Sequence, residues 1–515
     1  MDMSNRRYDT ALISYFARAQ YNWADRYIVA ATMRADGSSL FLGKNKWGFF
    51  PSVSGAWLVS EEPFFAPLKE TVNTLKLRVS YGQTGNNDIS RTAPLGAYST
   101  STYAGYNTLL PSTMQNKDLK WETTTQFDLG LDLGFLKDRI RVVADYYNKV
   151  TSDLIFGITL PDTAQLTSVQ SNVGSVRFYG FEFELHTVNI AKKDFRWETD
   201  LTYSFNRNRV LSLPDEYEYD ILDVDGTPTG EKGYRIGGAV TATGYRFGGT
   251  AVGEPLGSIW GYKVAGILQN DEQAAAAYYD TQSHGYRRND GLSIQGRKDA
   301  GDFEWVNRYG TAKTADGQEQ IDGTDLFLLG NVMPHSMGGI NNTINWKRFT
   351  FNVYFDYALG HSIYNYMKTR MIQNTLGYSN SNVDVGLFNS TWRRPGDGAG
   401  TARFFPNDAD YGNRNYSRAS DWNVEDASYL CLRDASVYYD LPDKWARFLH
   451  MKKFTVGITG NTLYYFTRVS GAISPETGIA TDSDAGMYSS TNNANSNGNL
   501  LPSTRKILFN VKITF

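Results

Sequence analysis

Hydrophobic and polar residues alternate with a period of two along much of this chain. Trp121, Thr123, Thr125, Phe127, Leu129, Leu131 and Leu133 share one parity, and Glu122, Thr124, Gln126, Asp128, Gly130, Asp132 and Gly134 share the other. Leu75, Leu77, Val79 and Tyr81 alternate with Lys76, Arg78, Ser80 and Gly82. Ile140, Val142, Ala144 and Tyr146 oppose Arg139, Arg141, Asp145 and the less regular Val143. Trp197, Thr199, Leu201, Tyr203 and Phe205 oppose Glu198, Asp200, Thr202, Ser204 and Asn206, and Phe349, Phe351, Val353, Phe355 and Tyr357 oppose Asn352, Tyr354 and Asp356. Successive side chains point to opposite faces of a strand, so this pattern predicts amphipathic β-strands rather than helices.

Alternation alone suits a soluble sandwich as well as a membrane barrel; the connections separate the two. Tight turns fall at 23–26, 135–138, 190–194 and 346–348, while long polar connections fall near 85–118, 151–175, 209–334, 361–426 and 467–502. Short turns at one end and long loops at the other characterise outer-membrane barrels. About 13 crossing strands are predicted, near 10–22, 26–35, 47–59, 74–84, 120–134, 139–150, 176–189, 195–208, 336–346, 349–360, 427–441, 453–466 and 503–515. The last carries Ile507, Phe509, Val511, Ile513 and Phe515 on one face, with Lys506, Asn510, Lys512 and Thr514 on the other. A final amphipathic strand ending in an aromatic marks Phe515 as the membrane-insertion end. The apolar faces carry no charge, as expected where a Lys or Arg facing lipid at the midplane costs about 2–4 kcal/mol.

Composition fits this picture. Aromatics make up 14% of 515 residues, favouring strands and interfacial belts. No stretch approaches 18 uninterrupted apolar residues, which excludes membrane-spanning helices. A mean hydropathy of −0.43 is uninformative, because a barrel's polar lumen and loops mask its lipid-facing band. A net charge of −3 argues against a nucleic-acid binder. The single cysteine, Cys431, excludes an internal disulfide framework and reads as a packed thiol inside a strand. The first residues, Met1 to Arg7, show no apolar core of a signal peptide, so for an outer-membrane protein the chain reads as part of a longer one.

Motifs in order along the chain resemble the SusC/RagA family of TonB-dependent outer-membrane transporters of Bacteroidetes. They include Arg34-Ala-Asp-Gly-Ser-Ser39, Trp47-Gly-Phe-Phe-Pro-Ser52, Ala56-Trp57, Ser60-Glu61 and Leu75-Lys-Leu-Arg-Val-Ser-Tyr-Gly-Gln-Thr-Gly-Asn86. Next come Trp121-Glu122, Gly130-Leu-Asp132, Asp145-Tyr-Tyr-Asn-Lys149, Asn172-Val-Gly174, Gly180-Phe-Glu182 and Gly261-Tyr-Lys-Val-Ala-Gly-Ile267. Leu329-Gly-Asn331 with Pro334, Ser428-Tyr-Leu430, Gly460-Asn-Thr-Leu463 and the final strand complete the series. Two positions depart from the family: Cys431 stands where Arg is usual, and Ser474-Pro-Glu476 replaces an Asp-Pro-Glu-like motif.

The resemblance implies an all-β fold, a transmembrane antiparallel β-barrel, with residues 1–515 as one domain forming the last ~13 strands of a 22-stranded barrel whose plug domain is absent from this chain. On its own such a piece exposes two sheet edges and is expected to curl into a smaller, strained barrel or to misassemble. The resemblance also implies the function: import of oligosaccharides or peptides across the outer membrane, with a SusD-like surface lipoprotein as lid and TonB-ExbB-ExbD acting through the amino-terminal part. Outer-membrane lipid is the remaining partner. A soluble or cell-surface β-protein that binds glycans is the alternative.

Candidate chemistry lies in the loops. Trp260, Tyr262, Trp305, Trp392 and Trp422 are candidates to stack on sugar rings; loop packing or girdle anchoring is the competing assignment. Asp223-Val-Asp-Gly226 and Asp322-Gly-Thr-Asp325 lack the full calcium-loop pattern and read as turns. His186, His284, His335, His361 and His450 are scattered, and no Gly-x-Ser-x-Gly occurs, so neither an enzyme, a metal site nor a cofactor is expected. His186 beside Glu184 reads as a hydrogen-bonded luminal histidine.

Overall fold

The computed structural model describes residues 9–89, 91, 93–103, 106–159, 168–222, 227–236, 239–240, 246–286, 293–308, 312–365, 368, 385–404, 415–416, 418–448, 451–471, 474–476 and 504–514. Thirteen strands form one antiparallel sheet in strict sequence order. They are β1 (Leu12–Trp23), β2 (Tyr27–Ser38), β3 (Trp47–Leu58), β4 (Val72–Asn86), β5 (Glu122–Phe135), β6 (Ile140–Ser152) and β7 (Ser175–Lys192). The series continues with β8 (Phe195–Ser212), β9 (Ser336–Trp346), β10 (Phe349–Leu359), β11 (Tyr429–Asp440), β12 (Lys453–Thr467) and β13 (Lys506–Thr514). Each corresponds to a strand predicted from the alternation. Among the described residues the first and last strands of the sheet each have one partner, β1 with β2 and β13 with β12.

The tight turns are cut by backbone geometry that matches the right-handed twist of their strands. Ala24 and Asp25 both have positive φ, 54° and 55°, and Arg26 N donates to Trp23 O at 3.1 Å, which is a type I′ turn. Leu136, Lys137 and Asp138 turn β5 into β6 in the same left-handed region. At this end Glu62 gathers three donors: Arg26 Nη1 at 3.0 Å, Tyr27 Oη at 2.6 Å and Trp57 Nε1 at 3.0 Å.

The two faces of the sheet differ as the alternation requires. Leu129 is 50% exposed and Phe509 is 82% exposed, and among the described residues no second layer covers these outward side chains. An apolar face of this extent left open to water would be untenable, so it faces acyl chains. The opposite face carries charged and amide side chains bonded to each other across strands. Trp121 departs from the expected lipid-facing stripe. It precedes β5 and is 7% exposed, packed with Phe41, Phe50 and Leu119 at the base of the first long loop, where its Nε1 donates to Lys46 O at 3.2 Å. Period-two logic stops where the strand begins, at Glu122.

The long connections build a second body of structure above the sheet. Its centre is a cluster of Tyr262, Phe303, Trp305, Ile321, Ala402 and Tyr416, with Trp422 packed against it. Arg418 and Asp280 form an ion pair in this core at 2.7 Å, 3% and 2% exposed, and Arg418 lies over the Tyr262 ring at 4.7 Å.

Candidate functional site

The polar face of β4 to β8 forms a wall of linked charges. Arg78 reaches Asp132 Oδ1 through Nε at 3.0 Å and Nη2 at 2.8 Å, and its Nη2 also donates to Asp145 Oδ2 at 3.0 Å. Asp128 accepts from Ser80 Oγ at 3.0 Å and from Gln126 Nε2 at 2.9 Å. Tyr147 Oη donates to Asn206 Oδ1. A cavity of about 710 Å³ opens on this wall, lined among others by Arg78, Asp128, Asp145, Glu182, Met333 and His335. Burial and the neighbouring Arg207 push the His335 imidazole below its ordinary value, favouring the neutral ring at the cavity mouth. Carboxylates, amides, a tyrosine and arginines on one concave surface suit a hydrated, polar cargo rather than an apolar one.

A second linked group lies on β10 to β12. Arg433 grips Asp356 through Nε at 2.7 Å and Nη2 at 2.8 Å, and Nη2 also pairs with Glu476 from the last long loop. Beside it, His361 is 2% exposed, and its Nε2 donates to Pro475 O at 3.1 Å. The loop residues 474–476 are thus fastened to the luminal wall. Cys431 is fully buried between Ala358 and Tyr429.

The structure brings Tyr262, Trp305 and Trp422 into one loop core and leaves Trp260 and Trp392 outside it. Trp305 is 0% and Trp392 6% exposed, and Tyr262 is buried enough that its hydroxyl is pushed up to about 12. Trp260 and Trp422 are half-buried, with Arg235 5.5 Å from one ring and Lys368 4.0 Å from the other. Burial lowers the Lys368 ammonium while Glu425, 3.5 Å away, opposes that shift. Phe515 lies outside the described residues, as do residues 223–226 and His450.

The other sequence candidates resolve into local chemistry. Asp325 accepts from the backbone of Arg308 at 2.6 Å and of Asp322 at 2.9 Å, so its carboxylate is spent on a turn. His186 Nδ1 is 2.6 Å from Asp200 Oδ1 across the β7–β8 pair, so Asp200 rather than Glu184 is its partner. Sequence reasoning did not single out Arg78, Asp132, Asp145, Asp356 or Arg433. The available signal was their shared polar stripe, whose charges of both signs fall into register once the strands are paired.

The comparisons with known proteins agree with this architecture. The sequence model of the family described as "TonB dependent receptor-like, beta-barrel" matches residues 2–296. The chain is 30% identical over 506 residues to the TonB-dependent receptor P3 of Formosa agariphila, covering 97% of this chain and 44% of that protein. It is 28% identical over 453 residues to the TonB-dependent receptor SusC of Bacteroides thetaiotaomicron, covering 84% of this chain and 38% of that protein. Among solved structures, that of the RagAB peptide transporter superposes with a TM-score of 0.69 at 20% identity, covering 98% of this chain and 48% of that one. The chain spans less than half the length of the curated relatives it matches.

Proposed function

The chain belongs to the TonB-dependent receptor-like β-barrel family, and on that premise we propose that it forms the wall and outer loops of an importer for oligosaccharides or peptides. The observation that carries this reading is the division of one continuous sheet into an outside that is apolar across its middle span and a polar inside. The polar side holds a cavity of about 710 Å³. Such a wall transports nothing by itself, since a barrel of this width needs its lumen filled and its opening driven.

The rest of the machine follows from the family. A plug domain fills the lumen, TonB with ExbB and ExbD displaces it, and a SusD-like lipoprotein closes over the long loops. The loop aromatics Trp260, Tyr262, Trp305, Trp392 and Trp422 belong to the ligand side of this arrangement. The burial of Trp305 and Trp392 gives them the role of holding loop shape, and leaves Trp260 and Trp422 as the contacts nearer to ligand. The relatives are named as receptors, and transport rather than catalysis is the activity we assign.

Growth tests this directly. A strain lacking the gene, and one lacking TonB, should both lose growth on one class of oligosaccharide or peptide as sole nutrient and regain it on the corresponding monomers. Unchanged growth of the gene-deletion strain across a broad panel of both classes would overturn the assignment.

A further inference from the structure

Three arginines share the outward parity of β7 and β8 at the end that carries the long loops, with Arg207 also bordering the mouth of the luminal cavity. Arg177 and Arg209 are directly opposed across this strand pair, and Arg207 is opposed to Tyr179. Alternation places them on the face of Phe181, Tyr203 and Phe205, of which Phe181 is 40% exposed. The Arg177 guanidinium lies 4.9 Å from the Tyr179 ring centre, and that of Arg207 lies 4.1 Å from Phe205. Arg177 Nε donates to Asn148 Oδ1 at 2.7 Å, and Arg207 Nη1 donates to the carbonyls of Asn206 and His335 at 2.9 and 3.3 Å.

Unlike the inner-face arginines Arg78 and Arg433, which each hold two acids, these three have no carboxylate partner among the described residues. Like charges directly opposite one another destabilise a strand pair, so the arrangement is complete only with an anion between them.

Depth identifies the anion. Trp197, on the same face of β8 near its short-turn end, is separated from Arg209 by roughly 40 Å of strand, or roughly 30 Å along the membrane normal at the usual tilt. The apolar band of such barrels is about 25 Å tall, which puts the arginines just beyond its outer margin, at the level of lipid headgroups. We propose that Arg177, Arg207 and Arg209 bind the phosphate groups of a phosphorylated, acylated lipid of the outer leaflet, whose chains lie along Phe181, Tyr203 and Phe205. A lipid, rather than dissolved phosphate, fits because the basic groups and the exposed apolar surface are continuous. The site rests on the membrane placement above, not on the identity of the imported nutrient.

The test uses protein expressed from its own gene and extracted from outer membranes in detergent. Phosphorylated lipid retained after detergent exchange is quantified by mass spectrometry, and delipidated protein is titrated with micelles containing an anionic phospholipid. Each basic side chain near an anionic lipid surface is worth about five-fold in affinity, so Arg177→Gln/Arg207→Gln/Arg209→Gln should weaken micelle binding on the order of a hundred-fold and lose the retained lipid. The corresponding triple Lys variant should keep most of it. Equal binding by the wild type and the triple Gln variant would overturn the site. Displacement of the lipid by inorganic phosphate alone would assign the site to a free anion and overturn the lipid. Fractionation and heat-modifiable mobility report membrane insertion separately. If the triple variant fails to insert, Arg209→Gln alone should show the five-fold loss, and its absence would count against the proposal.

Discussion

Arg78 and Asp145 meet at 3.0 Å across a strand that lies between them. The residue in the intervening position, paired with both, is Gly130. A methyl group there would sit 2.4 Å from Asp145 Oδ1 and 2.6 Å from Arg78 Cζ. The glycine is the opening through which a three-strand ion bridge forms on the luminal wall. Gly130→Val should break the bridge and lower resistance to urea unfolding by about 1–3 kcal/mol, the scale for charge-assisted hydrogen bonds. Arg78→Met/Gly130→Val should lose little more than Gly130→Val alone, because the same contact is removed once.

Glu62 predicts an acid-labile anchor at the short-turn end. Its hydrogen bonds from Tyr27, Trp57 and Arg26 hold the carboxyl below its ordinary value of 4.5. The unfolded chain takes up that proton near 4.5 and the folded chain only at lower pH. The contribution is therefore complete above 4.5 and is lost as pH falls through the folded value. Thermal unfolding followed by heat-modifiable mobility should show wild type losing stability below about pH 4.5 more steeply than Glu62→Gln.

The loop fastened by Arg433 predicts a second, separate pH response. Burial holds the His361 imidazole below its ordinary 6.5, so the unfolded chain accepts a proton at a pH where the folded chain refuses it. The contribution of this contact is whole above 6.5 and declines as pH drops below that value. Protease cleavage within 467–502 should be slow at pH 7.5 and faster at about pH 5, and Glu476→Gln should give fast cleavage at both.

The outward stripe gives the sharpest stability contrast. Leu129→Arg places a cation against acyl chains and should cost about 2–4 kcal/mol in urea titrations of the folded barrel. Asp128→Asn, one residue along and inside, should change stability by less than about 1 kcal/mol. Equal effects would mean that the two faces share one environment.

Trp305→Ala should empty the centre of the loop assembly and cost it about 3–5 kcal/mol, seen as rapid proteolysis between 209 and 334 while the strands keep their heat-modifiable mobility. Trp422→Ala, half-buried at the edge of the same cluster, should leave the loops intact, so any loss of ligand uptake there reads on contact rather than folding.

The strands were legible and the loops were not, for one physical reason. A strand writes its environment into a two-residue period, so Leu129 and Asp128 declare their faces without knowledge of their neighbours. Trp305 carries no such period. Its burial depends on Tyr262, Ala402 and Tyr416, far away in sequence, and only the folded assembly sets it. Trp121 shows the boundary: one position before β5, its parity predicted lipid and its contacts are Phe41 and Phe50. The Arg433 latch was half legible: Ser474-Pro-Glu476 stands out in the sequence as a departure, whereas no local pattern pairs Glu476 with an arginine 43 residues earlier.

Arg433 is also an extra residue. The pairing of β11 skips it against β10, where Leu432 and Asp434 face Phe355 and Tyr354, and the pairing with β12 breaks at the same place. Below the skip Ala435, Val437 and Tyr439 point outward; above it Tyr429 and Cys431 point inward although their numbers are also odd. A single residue thus inverts the phase of the strand. Excising position 433 would leave every side chain chemically unchanged, yet it would force half of β11 to exchange oil for water, a frameshift written in three dimensions.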